Sequence, residues 1–136
     1  MQPVIQNLTA NEKTVNAVIF IKKDLVLEYL RDEVVRLKET RCNMIVFASP
    51  VYYFTMTAQM EAAIQRVYCI GKPAKAKKAA LLLSSGSDGV YDAAIAQFKA
   101  YMDYAGIEAT KVITAHGDEN KSEAKLNEVR EFAGSL

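Results

Sequence analysis

The sequence has few of the residues that form metal centres, and it has no long hydrophobic run. It contains two cysteines, Cys42 and Cys69, and one histidine, so neither a zinc site nor a cysteine-bound cluster is predicted. Both cysteines are expected to be reduced structural thiols. No apolar stretch approaches the ~20 residues of a membrane-spanning helix, and the N-terminus lacks a basic region followed by a hydrophobic one. We therefore expect a cytoplasmic protein with no membrane partner.

The charge is nearly balanced. The formal net charge is +1 over 136 residues, which gives no electrostatic reason to expect binding to nucleic acid or to an anionic membrane. A content of 51% hydrophobic and 24% charged residues is typical of a globular chain. The length fits one domain over residues 1–136. Residues 1–14 show no sustained pattern and are expected to be a mobile or hairpin N-terminus.

Apolar runs of strand length alternate with segments of helical periodicity. A strand is predicted in each of the four runs, and the connecting periodicity predicts helices after each of them. Gly106 is expected to end the third helix, and Asn120 is expected to cap the fourth. This order predicts an α/β fold with a mostly parallel sheet of about four strands between helical layers. The predicted strands are 15–21, 44–48, 79–83 and 111–115, and the helices begin near residues 25, 57, 91 and 120.

The segment from Asn43 to Tyr68 is the most informative. Its strand ends at Ser49–Pro50, and a turn with three consecutive large residues, Tyr52 to Phe54, precedes a helix that Thr57 is predicted to cap. Ligands of open α/β sheets bind at the carboxyl ends of the strands. An aromatic turn beside free helix N–H groups suits a flat ring with polar edges. The alternative, which the residues alone favour over a ligand site, is that the aromatics cover the top of the sheet or form a dimer contact.

A second turn of interest follows the third predicted strand. Its sequence, SSGSDG from Ser84 to Gly89, can cradle the polar edge of a ligand, but such turns are also common in α/β folds that bind none. Its serines and Asp88 are expected to cap the next helix. His116, at the end of the last strand, is expected to be a hydrogen-bonded loop residue rather than a catalyst.

The segment SPVYYFTMTAQMEAAIQR resembles the isoalloxazine-binding loop of flavodoxin-like NAD(P)H-dependent FMN reductases and of related iron–sulfur flavoproteins. The resemblance continues through LLLSSGSDGVYDAAIAQFKAYMDYAGIE and ITAHGDEN, so that it covers roughly residues 43–136. It does not cover residues 1–40. The compact cysteine motif of the iron–sulfur flavoproteins is missing here, which excludes a cluster.

The resemblance implies a flavodoxin-like three-layer α/β/α fold and an FMN-binding oxidoreductase. Such an enzyme takes hydride from NAD(P)H and passes electrons to a small acceptor, and the cofactor rather than an acid–base triad carries the chemistry. No protein catalytic residue is therefore expected, and a homodimer is implied. The residues assigned to the cofactor by this resemblance are Ser49, Pro50, Val51, Tyr52, Tyr53, Phe54, Thr55 and Met56 in the first turn, and Ser85, Gly86, Ser87, Gly89 and Tyr91 in the second.

One part of the family's pattern is missing. The family's first strand leads into a loop rich in glycine and hydroxyl residues, which holds the FMN phosphate at a helix N-terminus. The corresponding residues here are Lys22-Lys23-Asp24-Leu25, which carry charge but offer no amide cradle. An alternative function follows: a flavodoxin-like module that has lost tight FMN binding and serves as a protein-interaction or assembly partner.

Overall fold

The computed structural model describes residues 8–9, 15–20, 43–70 and 75–135, with side chains for 43–66 and 75–135. The helix predicted after residue 25, the Lys22–Leu25 segment and both cysteine side chains lie outside this description. Of the N-terminal segment the structure describes two residues, Leu8–Thr9, which pair antiparallel with the next strand.

The sheet follows the order of the chain. Its strands are β1 (Leu8–Thr9), β2 (Val15–Phe20), β3 (Met44–Pro50), β4 (Lys78–Ser85) and β5 (Glu108–His116), and they lie side by side in the order β1-β2-β3-β4-β5. The pairs from β2 to β5 are parallel. The prediction of a mostly parallel sheet of about four strands is confirmed, with the two-residue β1 as an added antiparallel edge.

Within the residues that the structure describes, three helices and a short 3₁₀ helix connect or follow the strands. They are α1 (Ala58–Ile70), α2 (Asp92–Ala105), the 3₁₀ helix (Gly117–Lys121) and α3 (Glu123–Gly134). Gly106 ends α2 as predicted, in the left-handed conformation at φ 69° that glycine adopts without strain.

Two predicted helix caps were wrong. Asn120 belongs to the 3₁₀ helix, so α3 begins later than predicted. Its N-cap is Ser122, whose hydroxyl accepts a hydrogen bond from the Lys125 N–H. At α2, Tyr91 stands at the N-cap position with no side-chain cap, and Asp88 instead accepts from the Gly89 N–H within its own turn.

The two faces of the sheet bury different sets of side chains. Ile45, Phe47 and Leu81 face α1 and α2, where the fully buried Phe98 ring meets Phe47 edge-on at 5.7 Å. The other face carries Met44, Val46 and Ala80 and packs against Phe132 of α3. The helices therefore form layers on both sides of the sheet, and the alternation of side chains along each strand assigns every residue to one layer.

The parallel pairing brings the important turns together. Pro50 lies opposite Ser84, and Ser85 lies opposite His116, so β3, β4 and β5 end at the same edge. The turns after these strands are therefore neighbours, although more than sixty residues separate the first from the last along the chain. This carboxyl edge is where a ligand of an open parallel sheet is expected.

Candidate functional site

The aromatic turn is a tight loop with a buried base and an exposed tip. Val51 and Met56 form an antiparallel bridge, and both side chains are buried in the core. Between them, Tyr52 is 70% exposed, Tyr53 83% and Phe54 50%. A turn this short has no apolar surface to cover its tip, so three large side chains stand in solvent.

Phe54 sits in an unfavourable backbone conformation. Its φ of 63° lies in the left-handed region, which is uncommon for a residue with a bulky side chain. The Tyr53 and Phe54 rings nevertheless contact each other edge-to-face, with centroids 5.4 Å apart. The strained backbone and the ring contact together define the shape of the tip.

Ser49 and Thr57 fix the base of this turn. The Ser49 hydroxyl accepts a hydrogen bond of 3.0 Å from the Thr57 N–H and donates to the Pro50 carbonyl at 2.9 Å. Thr57 then caps α1 as predicted, accepting from the Met60 N–H at 3.2 Å. The buried Ser49 side chain is thus part of the scaffold of the turn, because its hydroxyl is committed to backbone groups.

The second turn is built around Tyr91. Its buried hydroxyl donates to the Ala115 carbonyl at 2.7 Å and lies 2.6 Å from the Ser85 hydroxyl. The Ser85 hydroxyl also contacts the Ser87 carbonyl. These bonds join the ends of β4 and β5 to the start of α2, and they leave the Ser85 and Tyr91 side chains facing the protein interior.

Between Ser85 and Tyr91, the turn is open to solvent. Gly86, Ser87 and Gly89 are exposed, and a Cβ atom added to either glycine would meet no atom within 4 Å. Gly89 has a φ of 71°, which requires glycine for an unstrained turn. A ligand can therefore approach the backbone of Gly86 directly.

The segment after β5 contacts the second turn through residues that the sequence did not mark as site residues. The Asn120 amide donates to the carbonyls of Ser85 at 2.9 Å and Gly117 at 3.0 Å. These bonds tie the 3₁₀ helix to the second turn, which is called the Gly/Ser turn below and runs from Ser84 to Gly89. His116 Nδ1 lies 3.0 Å from a Glu119 carboxylate oxygen and 3.9 Å from Asp88 Oδ1. His116 is thus the last residue of β5 rather than a loop residue, and its imidazole lies within hydrogen-bond distance of the Glu119 carboxylate.

A groove of about 420 Å³ runs along the α3 face of the sheet at this edge. Its walls are mainly aliphatic, and its polar groups come from serines, Asn120 and Lys125. Sequence reasoning missed it, because the groove forms between three strands and a helix that are distant in sequence. The residues that line it are Ala48, Ser49, Pro50, Leu82, Leu83, Ser84, Ile113, Ala115, Asn120, Lys125, Leu126 and Val129.

Lys125 is the one charged side chain among the described residues that line the groove. Its ammonium lies 2.8 Å from a Glu128 carboxylate oxygen, and the other oxygen of Glu128 lies 3.9 Å from the Lys111 ammonium. The hydrogen bond to Glu128 raises the pKa of Lys125 and lowers the pKa of Glu128, so both groups are charged at neutral pH.

The predicted cofactor residues fall into two groups. Those whose side chains are exposed are Tyr52, Tyr53, Phe54, Thr55 and Ser87, together with the open backbone at Gly86 and Gly89. Those whose side chains are buried are Ser49, Val51, Met56, Ser85 and Tyr91, while Pro50 is half-buried and lines the groove. The buried group can offer a ligand its backbone alone.

The described part of the chain contains no cluster of metal-ligating side chains and no membrane-spanning helix. No group of three or more histidine, cysteine, aspartate or glutamate side chains there is placed to hold a metal ion. Within the same residues, no helix combines the length and the apolar character that crossing a bilayer requires.

Comparison with protein families gave a match to the flavodoxin-like fold over residues 27–135. Comparison with curated proteins gave no match.

Solved structures share the fold at low sequence identity. The Trp repressor binding protein from Bacillus subtilis is 18% identical, with a TM-score of 0.60 over 73% of this chain and 72% of that one. An FMN-dependent NADH-azoreductase from Bacillus anthracis, solved in complex with FMN, is 19% identical with a TM-score of 0.58, and the match covers 80% of this chain but 62% of the azoreductase. An NADPH-quinone reductase from P. pentosaceus is 11% identical, with a TM-score of 0.59 over 82% and 74% of the two chains.

Proposed function

The chain belongs to the flavodoxin-like fold family, and from that premise we propose that it is an FMN-binding oxidoreductase that uses NAD(P)H to reduce a small acceptor. The observation that carries the proposal is the meeting of the aromatic turn and the Gly/Ser turn at the carboxyl ends of adjacent parallel strands. The azoreductase and quinone reductase neighbours support the oxidoreductase class, and one of them was solved with FMN.

The exposed groups of the two turns are of the chemical types that bind a flavin. An isoalloxazine ring has two apolar faces and a polar edge, and the exposed side chains of Tyr52, Tyr53 and Phe54 offer aromatic surface for a face. The open backbone at Gly86 lets a flat ligand approach closely from the second turn. The proposed cofactor residues therefore act through aromatic contact in one turn and through backbone contact in the other.

When bound, FMN would supply the redox chemistry, accepting hydride from NAD(P)H and releasing electrons to the acceptor. The protein's part is to hold and orient the ring. Backbone N–H groups of residues 52–56 and the first turn of α1 would face its polar edge, where positive dipoles stabilise negative charge, while the Val51 N–H is bonded to the Ser84 carbonyl. Ser49 and Thr57 would keep those groups in place through their hydrogen bonds.

The proposal includes two finer points from the family resemblance. The functional form would be a homodimer, and the exposed aromatic tip supports it because three large apolar side chains on one turn need a partner or a ligand to cover them. The location would be the cytoplasm, where NAD(P)H is available as the reductant.

A second candidate function rests on the same tip. Tyr52, Tyr53 and Phe54 are types enriched in protein interfaces, and their exposure also favours a module that binds a protein partner without tight FMN binding. The two candidates differ in what covers the tip: a flavin and a second copy, or a different protein. Flavin affinity separates them.

The deciding experiment is an FMN titration of the whole chain, followed by flavin fluorescence and visible absorbance. The oxidoreductase proposal requires saturable binding and bleaching of the bound flavin by NAD(P)H. If the chain did not bind FMN at hundreds of micromolar, the oxidoreductase proposal would be contradicted and the protein-binding module would be the remaining candidate.

A matched pair of variants locates the site. Gly86→Val adds a side chain to open space in the second turn, so the variant is expected to fold and to bind FMN at least tenfold more weakly. Gly134→Val, at the far end of α3, also adds its Cβ to open space and should leave the affinity unchanged. Equal affinities in the two variants would exclude the Gly/Ser turn from the site.

A further inference from the structure

The groove on the α3 face offers mainly hydrocarbon surface. The Ser49 hydroxyl that lines it is bonded to backbone groups of the first turn, and the Asn120 amide is bonded to two backbone carbonyls. The Lys125 ammonium donates a hydrogen bond of 2.8 Å to Glu128. Because these polar groups already have partners within the chain, the groove favours an apolar occupant over a charged one.

The apolar stripe of α3 is incompletely covered. Leu126 lines the groove and is nevertheless 41% exposed, and none of the described side chains of α3 is fully buried. A surface helix of a globular protein normally buries its apolar stripe against a neighbour. An apolar group lying over the groove would therefore complete the packing of α3.

The aromatic tip carries side chains of the matching kind. The Tyr53 and Phe54 rings, called the ring pair below, contact each other edge-to-face, and both are at least half exposed. An apolar cavity of about 150 Å³ is enough to hold one benzene ring. The groove, at about 420 Å³, therefore has room for the ring pair.

The tip and the groove are neighbours on the surface. Ser49 and Pro50 line the groove and also lead into the turn that carries the tip, yet the ring pair is exposed and does not line the groove of its own chain. A twofold axis close to Pro50 would place the ring pair of each copy over the groove of the other. Such an arrangement is self-complementary, as a twofold interface requires.

The area available is sufficient for a stable dimer. Large aromatic side chains bury roughly 150–250 Å² each, so the three side chains of the tip, at their exposed fractions, would bury roughly 400 Å². With a groove surface of similar size, each copy would contribute roughly 800 Å², which is the size of a standard specific interface.

We infer that the protein forms a twofold dimer in which the ring pair of each copy fills the α3-face groove of the other. The inference rests on the homodimer that the proposed function includes, and it names the surfaces that this homodimer uses. Because Pro50 belongs to the groove and to the first turn, the interface adjoins the proposed cofactor site.

The test measures the dimer dissociation constant of the whole chain by sedimentation velocity over a range of concentrations. Tyr53→Glu places a charge on the ring pair, and Leu126→Lys places one in the groove. Both positions are exposed, so both variants are expected to fold. We expect the unaltered chain to dimerise and each variant to dimerise roughly a hundredfold more weakly, because the contact would bury an unpaired charge.

Two matched controls carry the same changes outside the proposed interface. Tyr104→Glu alters another exposed tyrosine, in α2, and Ala124→Lys adds a lysine at an exposed position of α3. Neither residue lines the groove. Both control variants should dimerise like the unaltered chain.

Mixing the two interface variants tests the contact directly. A heterodimer of Tyr53→Glu and Leu126→Lys has one native contact between a ring pair and a groove, and its other contact brings the new glutamate to the new lysine. The equimolar mixture should therefore form dimers at concentrations where each variant alone is monomeric. This recovery also shows that both variants are folded.

The outcomes separate the inference from the proposed function. A monomeric unaltered chain would overturn the inference, and so would a dimer that either interface variant leaves unchanged or that mixing fails to restore. A chain that binds FMN in any of these cases leaves the flavin proposal standing. Conversely, a dimer that responds as expected but binds no FMN would support the interface and overturn the proposed oxidoreductase.

Discussion

The Tyr91 hydroxyl donates a 2.7 Å hydrogen bond to the carbonyl oxygen of Ala115, a residue 24 positions further along the chain. The same hydroxyl lies 2.6 Å from Ser85 Oγ. Because these groups are buried, removing the hydroxyl takes a hydrogen bond from the Ala115 carbonyl with no water to replace it, while the Ser85 hydroxyl keeps its contact with the Ser87 carbonyl. One phenolic oxygen thus holds the second turn against the end of β5.

Tyr91→Phe should therefore destabilise the protein by about 1–3 kcal/mol, the cost of leaving a buried acceptor unsatisfied. The free energy of unfolding from chemical denaturation measures it. Tyr53→Phe removes a hydroxyl from a side chain that is 83% exposed, and the stability should change by less than about 0.5 kcal/mol. Similar losses in the two variants would show that the buried hydroxyl has no special role.

Phe54→Gly should make the protein more stable and a poorer flavin binder. The left-handed backbone at φ 63° costs a residue with a side chain about 1–2 kcal/mol, and glycine relieves that cost at the expense of greater chain entropy in the unfolded state. We expect a net gain of up to about 1 kcal/mol. Thermal unfolding and FMN titration measure the two effects.

The matched control is Tyr53→Gly in the same tip. Among the described non-glycine residues, positive φ occurs at Phe54, so Tyr53 has no such strain to release. This variant should lose stability. A loss of stability in Phe54→Gly as well would mean that the ring contact with Tyr53 outweighs the backbone strain.

Thr57→Ala should weaken the start of α1. The Thr57 hydroxyl accepts from the Met60 N–H, and its removal should cost about 1 kcal/mol of unfolding free energy. Thr55→Ala, two residues earlier and exposed, should change the stability little. If both variants had the same stability, the cap would be contributing nothing measurable.

The Lys125–Glu128 pair predicts a modest dependence of stability on pH. The pKa of Glu128 is lowered in the folded state, chiefly by the hydrogen bond from Lys125, so its contribution is present above the ordinary glutamate pKa and is lost as the pH falls through the folded value. The pKa of Lys125 is raised, so its contribution is present below the ordinary lysine pKa and is lost as the pH rises through the folded value.

Glu128→Gln should accordingly reduce the stability at neutral pH and not in strong acid. The pair is partly exposed, so the loss should be about 0.2–1 kcal/mol, and salt should diminish it. Glu131→Gln, at an exposed glutamate on the same helix, is the control and should leave the stability at neutral pH unchanged. A loss that persisted in strong acid would rule out the ion pair as its cause.

The sequence by itself determined where β2 to β5 and the described helices lie, because the signals are local. A continuous apolar run such as 44–48 predicts a strand buried on both faces, and the repeat in α2 and the glycine at 106 predict a helix and its end. The bounds were less exact: β5 begins at Glu108, three residues before the predicted start. Such ends depend on pairing with a neighbour, here β4, rather than on the composition of the strand.

Only the tertiary structure decided which side chains of the candidate site are accessible. Val51 and Tyr52 are adjacent in a run of apolar residues, yet one is buried and the other is 70% exposed, because the Val51–Met56 bridge turns the first toward the core. The groove also exists only in the tertiary structure. Pro50 and Lys125 line one cavity across 75 positions of sequence because β3, β4 and β5 are parallel and α3 packs over them. The spacing of residues along the chain does not predict which distant residues line the same cavity.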